Sequence, residues 1–171
     1  MKELIIREAI PIDAAELLAV FKQIGGESEF LTMDEAGVAM TTEEMAENLA
    51  NIYESKNNAL LIAIVDGAIV GSISVYSDHH YRIRHIGEFA VSLLTSYQGY
   101  GIGSALMEEM IEWAKESGVI RRLELTVQKR NTGAIRLYQK YGFEIEAEQK
   151  RGARLKSGEF ISVLRMSLLI D

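Results

Sequence analysis

The run Gln98-Gly99-Tyr100-Gly101-Ile102-Gly103 constrains the fold more than any other stretch of this chain. An apolar segment, Phe89 to Leu94, precedes it, and an amphipathic one, Ser104 to Lys115, follows it. A strand, a glycine-rich turn and a helix start, in that order, build an anion site. Glycine permits left-handed backbone and leaves no Cβ between the chain and a ligand. The first helical turn offers N–H groups that no carbonyl of the helix can use, at the positive end of the helix dipole. The stretch therefore reads as a cradle for a pyrophosphate.

The surrounding pattern is that of a mixed α/β chain. Leu4 to Ala9 reads as a strand. Asp13, after Pro11, is placed to cap a helix with the stripe Ala14, Leu17, Leu18, Phe21 and Ile24, and Gly25-Gly26 reads as its stop. Glu27 to Met40 has no clean period and reads as a loop, with Phe30, Leu31 and Met33 either packing down or lining a pocket. Thr41 and Glu44 fit a capping box ahead of Met45, Leu49, Ile52 and Tyr53. Ala59 to Val65 and Ala68 to Tyr76 form a hairpin across Asp66-Gly67. His85 to Leu94 is the next strand. In the helix after the glycine turn, Leu106, Met107, Met110 and Ile111 face inward, and Gly118 is placed as a C-cap.

Leu123, Leu125 and Val127 alternate with Glu124, Thr126 and Gln128, which marks a strand with two distinct faces. Asn131 caps a short helix through Lys140, stopped by Gly142. Phe143 to Gln149 and Phe160 to Leu169 are the last strands, with Lys150, Arg151, Arg154 and Lys156 on the loop between them. The expected order is β-α-α-β-β-β-α-β-α-β-β. The hairpin requires antiparallel pairing early in the sheet. The strand–helix–strand unit around the glycine turn requires a parallel pair joined by a right-handed crossover.

With 171 residues and no repeat or linker, residues 1–171 are expected to form a single domain. There is no cysteine, which removes disulfides, thiolate zinc sites and a thiol nucleophile. A net charge of −7 disfavours a nucleic-acid partner, whose binding needs a basic surface. No apolar run approaches the ~20 residues that span a bilayer, and the start of the chain lacks the features of a signal peptide. A cytoplasmic chain with no membrane partner is expected. His79, His80 and His85 have no companion ligand spacing and read as a solvated loop, so no metal is expected.

The anion can be narrowed further. A P-loop needs a Gly-Lys-Ser/Thr ending, and Ser104 follows Gly103 with no lysine between. A dinucleotide fingerprint needs a third glycine where Ser104 stands, on a strand that opens a parallel run rather than one behind a hairpin. The turn resembles the Gln/Arg-x-x-Gly-x-Gly/Ala signature of the GCN5-related N-acetyltransferase (GNAT) family, here Gln98, Gly101 and Gly103. The later run from Asn131 through Ala134, Ile135, Leu137, Tyr138, Tyr141, Gly142 and Phe143 is similar to that family's following motif. The element order agrees, and the resemblance covers essentially the whole chain. It is closest in flavour to the branch holding ribosomal-protein N-terminal acetyltransferases and small-amine or amino-acid acetyltransferases.

The resemblance implies acetyl-CoA as co-substrate. Its pyrophosphate would lie on the N–H groups of Gln98, Gly99, Tyr100, Gly101, Ile102, Gly103 and Ser104. Its pantetheine arm would pair with Val91, Ser92 and Leu93 like an added strand, in a slot where two strands splay, and Asn131 would hold the arm while capping its helix. It also implies Tyr138 as the acid that serves the leaving thiolate. A phenol with pKa near 10 stays protonated at neutral pH and suits that role. Tyr141 reads as packing.

An acceptor ammonium must lose a proton before attack. Thr126 stands where alanine acetyltransferases of the family carry a glutamate, so Glu88 is the candidate base, directly or through water, with a rim carboxylate as its bland alternative. Ser162 stands where related chains often have aspartate, so that acceptor contact is not carried over. The expected function is acetyl transfer to a primary amine by direct attack in a ternary complex. Two alternatives stand beside it: another acyl-CoA donor, or a non-catalytic acyl-CoA sensor. The expected partner is a small-molecule or peptide amine, and a homodimer is left open.

Overall fold

The computed structural model describes residues 2–171. One seven-stranded sheet runs in the order β1-β2-β3-β4-β5-β7-β6. Its strands are β1 Leu4–Glu8, β2 Ala59–Val65, β3 Ala68–Tyr76, β4 Ile86–Leu93, β5 Arg122–Gln128, β6 Glu144–Arg154 and β7 Phe160–Leu169. The helices are α1 Ala14–Glu27, α2 Thr42–Glu54, α3 Ile102–Ser117 and α4 Thr132–Lys140. No helix among the described residues is long and apolar enough to cross a membrane.

The hairpin expectation holds to the residue. Asp66 at φ 49° and Gly67 at φ 81° make the two-residue turn whose twist matches the strands it joins. β2 is buried at nearly every position, as a strand covered on both faces must be. α1 and α2 pack on each other and on β3 and β2, while α3 packs on β3, β2, β4 and β1. Leu106, Met107, Met110 and Ala114 bring the inward face of α3 to full burial. The leucine and the two methionines each contribute roughly 1.5–3 kcal/mol by leaving water. Both strong caps are present: Thr41 Oγ1 accepts from the Glu44 N–H at 3.1 Å, and Asn131 Oδ1 accepts from the Ala134 N–H at 3.3 Å.

Three expectations are corrected. α1 does not stop at Gly25-Gly26 but runs through to Glu27. A Cβ on Gly25 would lie 1.8 Å from the Asp34 carbonyl oxygen, so this glycine serves close approach of the following loop rather than termination. Asp13 does not cap α1 through its side chain. Pro11 opens a short 3-10 turn that holds Asp13 in helical backbone, and its carboxylate turns back to Arg7 at 2.8 and 2.9 Å and to the Ile10 N–H at 2.8 Å. β6 outlasts Gln149 and reaches Arg154, so Lys150, Arg151 and Arg154 belong to a bulged strand rather than a loop.

The feature that positions the site is the one parallel pair. β4 and β5 pair only at Ile86–Arg122, Gly87–Leu123 and Glu88–Glu124. Beyond Glu88 they diverge, β4 staying with β3 and β5 with β7. The sheet opens there into a slot, as expected of a strand that is to receive an extended ligand.

Candidate active site

The glycine-turn side of the slot is built largely from backbone. After Leu93 a short 3-10 turn, Thr95–Tyr97, leads into the glycine run. Gly99 and Gly101 adopt φ of +83° and +81°, conformations that other L-residues adopt only at a cost. A Cβ on either would meet no protein atom within 4 Å, so backbone conformation, not crowding, demands glycine. The Ala105 N–H is already bonded, to the Gly101 carbonyl at 3.0 Å. The N–H groups of Ile102, Gly103 and Ser104 are left over at the helix start.

A cleft of about 430 Å³ runs along this turn. From the β4 side it is lined by Val91, Ser92 and Leu93, and from the turn by Gln98, Gly99, Gly101, Gly103 and Ser104. Asn131 and Tyr138 line it from α4. The sequence had singled out all of these. Tyr100 and Ile102 differ: Tyr100 is exposed, Ile102 is buried, and both side chains line a hollow on the outer side of the turn with Lys2, Leu4 and Tyr97. Only their backbone can serve the cleft.

Tyr138 is 7% exposed and packs edge-on to Phe89, with ring centroids 6.1 Å apart. No protein group takes its hydroxyl among the described residues, and burial pushes its pKa up to about 12. Tyr141, one turn on, faces α3 instead, donating to Glu108 Oε1 at 2.9 Å and reaching the Ser104 carbonyl at 3.3 Å. It ties the two helices together, as its packing assignment required.

Tyr138 also borders a second pocket of about 320 Å³, and Glu88 lies on that pocket's wall. Val91, Ser92, Phe30 and Leu31 line both spaces, so the two communicate where β4 leaves β5. Glu88 is exposed and has no ion-pair partner among the described residues, whereas Glu124 opposite it accepts from Arg122 at 2.9 Å and Arg165 at 3.2 Å. Of the two carboxylates at the mouth of the slot, Glu88 is therefore the one left unpaired.

Sequence reading left the α1–α2 loop open between packing and lining, and it does both. Phe30, Leu31 and Met33 touch core or pocket while the loop crosses the slot as a strap. Its start is fixed to the β4 side by Glu27, whose carboxylate accepts from the Thr95 N–H at 3.0 Å and is held below the usual carboxylate range chiefly by that bond. The β5 side is fixed by Gln128, a buried side chain whose amide donates to the Glu29 carbonyl at 2.6 Å. Arg130 donates to Gln128 Oε1 at 2.9 Å and lies over the Phe30 ring at 4.8 Å. Gln128 and Arg130 were missed: Gln128 reads as one more residue of the polar face of β5, and nothing local shows that Glu29 will lie against it.

The cluster of Lys150, Arg151, Arg154 and Lys156 does not line the cofactor cleft. Arg151 and Arg154 lie over Phe160, at 5.5 and 5.7 Å, and Lys156 sits 3.5 Å from Glu35 on the strap. His79 and His80 gather with Asp78 on an exposed loop away from both pockets, and His85 does not join them.

A splayed parallel pair with a glycine turn at its open end defines the fold class of the acyl-CoA N-acyltransferases. The Acetyltransferase (GNAT) family model matches residues 29–143, and the chain belongs to that family. Its fold superposes on the acetyltransferase of GNAT family from Streptococcus pneumoniae with TM-score 0.97, at 46% identity over 98% of this chain and 100% of that one. It is also similar to yncA, a putative acetyltransferase from Salmonella typhimurium solved with acetyl-CoA (TM-score 0.84, 19% identity, 99% of this chain and 95% of that one). The L-amino acid N-acetyltransferase AaaT of Escherichia coli is 37% identical over 107 residues, 63% of this chain and 65% of AaaT. The matched segment thus spans just under two thirds of that relative's length.

Proposed function

We propose that this chain transfers the acetyl group of acetyl-CoA to a primary amine by direct attack within a ternary complex. The observation that carries this is the slot itself: three paired residues, then divergence, with free helix-start N–H groups at one end and Tyr138 and Glu88 at the other. The residues present fit acetyl-CoA. Left-handed Gly99 and Gly101 aim backbone at a pyrophosphate, and the β4 edge from Val91 to Leu93 is unpaired on the β5 side and can receive an extended amide-bearing arm. The bound thioester supplies an acetyl group already activated toward amines.

The chain's own groups handle protons. Glu88, unpaired at the mouth, accepts the proton that the acceptor ammonium must lose, directly or through a water. Tyr138 donates a hydrogen bond to the departing sulfur. Its pKa of about 12 lies above the ~8.5 of a simple thiol, so full proton transfer from the free protein's phenol runs uphill. The hydroxyl therefore acts first as a fixed donor that stabilises developing thiolate charge in a water-poor site.

Thermal shift with acetyl-CoA, followed by release of free CoA thiol over an amine panel, tests this. Stabilisation together with turnover is expected. No stabilisation at millimolar cofactor removes the site, and stabilisation without turnover on any amine leaves a sensor in place of an enzyme.

A further inference from the structure

The pocket on the acceptor side lacks positive charge where an amino-acid substrate would need it; the argument rests on the reading that Glu88 and Tyr138 flank the transfer point. The wall of that pocket is mainly apolar, with Phe21, Phe30, Met33 and Val38 among its residues. Its polar part is the hydroxyls of Thr32, Ser72, Ser74, Ser92, Thr126 and Tyr138 and the carboxylate of Glu88. No lysine or arginine lines it among the described residues.

Most cations on the flanking elements are already engaged. Arg165 donates to Glu124, Arg122 to Glu124 and Glu146, and Arg130 to Gln128. The adjoining hollow, between the strap and the β6–β7 hairpin, does hold Arg154 and Lys156. It also holds Glu27, Glu29, Asp34 and Glu35, so carboxylates outnumber cations there.

A free amino acid carries its carboxylate one carbon from the attacking nitrogen. By covalent geometry the carboxylate oxygens stay within about 4 Å of that nitrogen. With the nitrogen at Glu88, the carboxylate would sit among apolar side chains and neutral hydroxyls, next to a like charge and without a cation. A carboxylate so placed is disfavoured both by lost hydration and by repulsion. Converting it to an amide, or removing it, relieves both penalties, and the Ser and Thr hydroxyls can answer an amide.

We infer that the acceptor is an amine on an apolar stem with no carboxylate on the carbon that bears the nitrogen. A small alkyl- or arylalkylamine meets that description, and so does the N-terminus of a peptide whose first residue is apolar. On this point the chain departs from its Escherichia coli relative, which is named for L-amino acids.

Matched acceptor pairs test it by CoA-thiol release: 2-phenylethylamine against L-phenylalanine, and L-methioninamide and a Met-Leu peptide against L-methionine. The uncarboxylated member of each pair is expected to have kcat/KM at least ~10-fold higher, which is about 1.4 kcal/mol of discrimination. Ratios of one or below overturn the inference while leaving acetyl transfer intact. The phenylethylamine and peptide arms separate the two sources of the same chemistry. Thr126→Arg, a change at an exposed β5 position, is expected to shift each ratio toward the free amino acid by ~10-fold; an unmoved ratio in a variant of unchanged circular dichroism overturns the electrostatic basis. Stabilisation by acetyl-CoA with no turnover on any member defeats the underlying transfer reading, and this inference with it.

Discussion

The two halves of the slot are made from different material. On the side proposed for acetyl-CoA the groups on offer are chiefly backbone: leftover N–H groups at the start of α3, two left-handed glycines and the unpaired edge of β4, joined by the side chains of Asn131 and Tyr138. On the acceptor side they are side chains, brought in by a strap from α1 and by strands on both sides of the splay. A backbone site needs only local sequence to form and suits a ligand that does not vary. A side-chain site can be rebuilt by a few substitutions without disturbing the sheet. That division explains how one frame can hold one donor and serve different amines.

Breaking the junction between the halves has the largest expected effect. Tyr138→Phe removes the phenol hydroxyl that borders both spaces while leaving the Phe89 and Phe143 contacts of its ring. A fall in kcat of ~10²-fold is expected, the size seen when a fixed donor to developing charge is lost. The acetyl-CoA dissociation constant should stay within about twofold by calorimetry, and an unchanged kcat would strike Tyr138 from the mechanism. The pH profile of the unaltered protein adds a check. Burial disfavours the phenolate and raises the pKa to about 12, so the hydroxyl is protonated at every lower pH. Loss of activity through Tyr138 ionisation should therefore be absent from pH 7 to about 10.

The next effects fall on one half each. Gly101→Ala places a side chain at φ +81°, which costs roughly 1–2 kcal/mol in that conformation. Acetyl-CoA affinity is expected to fall about 10-fold, with acceptor preference unchanged; weakened discrimination between acceptors would show that the halves are not separable. Glu88→Gln is expected to lower kcat/KM for the amine about 10-fold near neutral pH and to lose less as pH rises and the amine deprotonates in solution. A loss of equal size at all pH values would make Glu88 a binding group rather than a base.

The smallest effect is expected at the strap. Gln128→Leu removes the hold on the Glu29 carbonyl and on Arg130. A few-fold rise in acceptor KM with acetyl-CoA affinity unchanged is predicted from steady-state kinetics. The reverse pattern would place the strap with the cofactor half.

The same division governs what could be read from the chain. The glycine turn and the Asn131 cap were legible because strand–turn–helix and cap chemistry act between neighbours in sequence, whereas Tyr138 came from the resemblance. The parallel pairing of β4 with β5 followed from the strand–helix–strand order and their splay from the resemblance, but that only three pairs form was not readable from the chain. The strap could not be read, since the bond that fixes it joins Gln128 to Glu29, residues 99 apart in the chain. Gly25 misled for a related reason: nothing local shows that Asp34 will lie against it, so a packing glycine reads as a helix stop. Asp13 looked like a cap until Arg7, on the preceding strand, was seen to claim its carboxylate.

The central claim is that Tyr138 stands at the meeting point of a backbone-held donor and a side-chain-held acceptor. A crystal structure with acetyl-CoA tests it most directly. Pyrophosphate oxygens are expected on the N–H groups between Gly99 and Ser104, the pantetheine arm along Val91 to Leu93, and the thioester sulfur within about 3–4 Å of the Tyr138 hydroxyl. A thioester that ends away from Tyr138, or a pyrophosphate seated off the glycine turn, would contradict it.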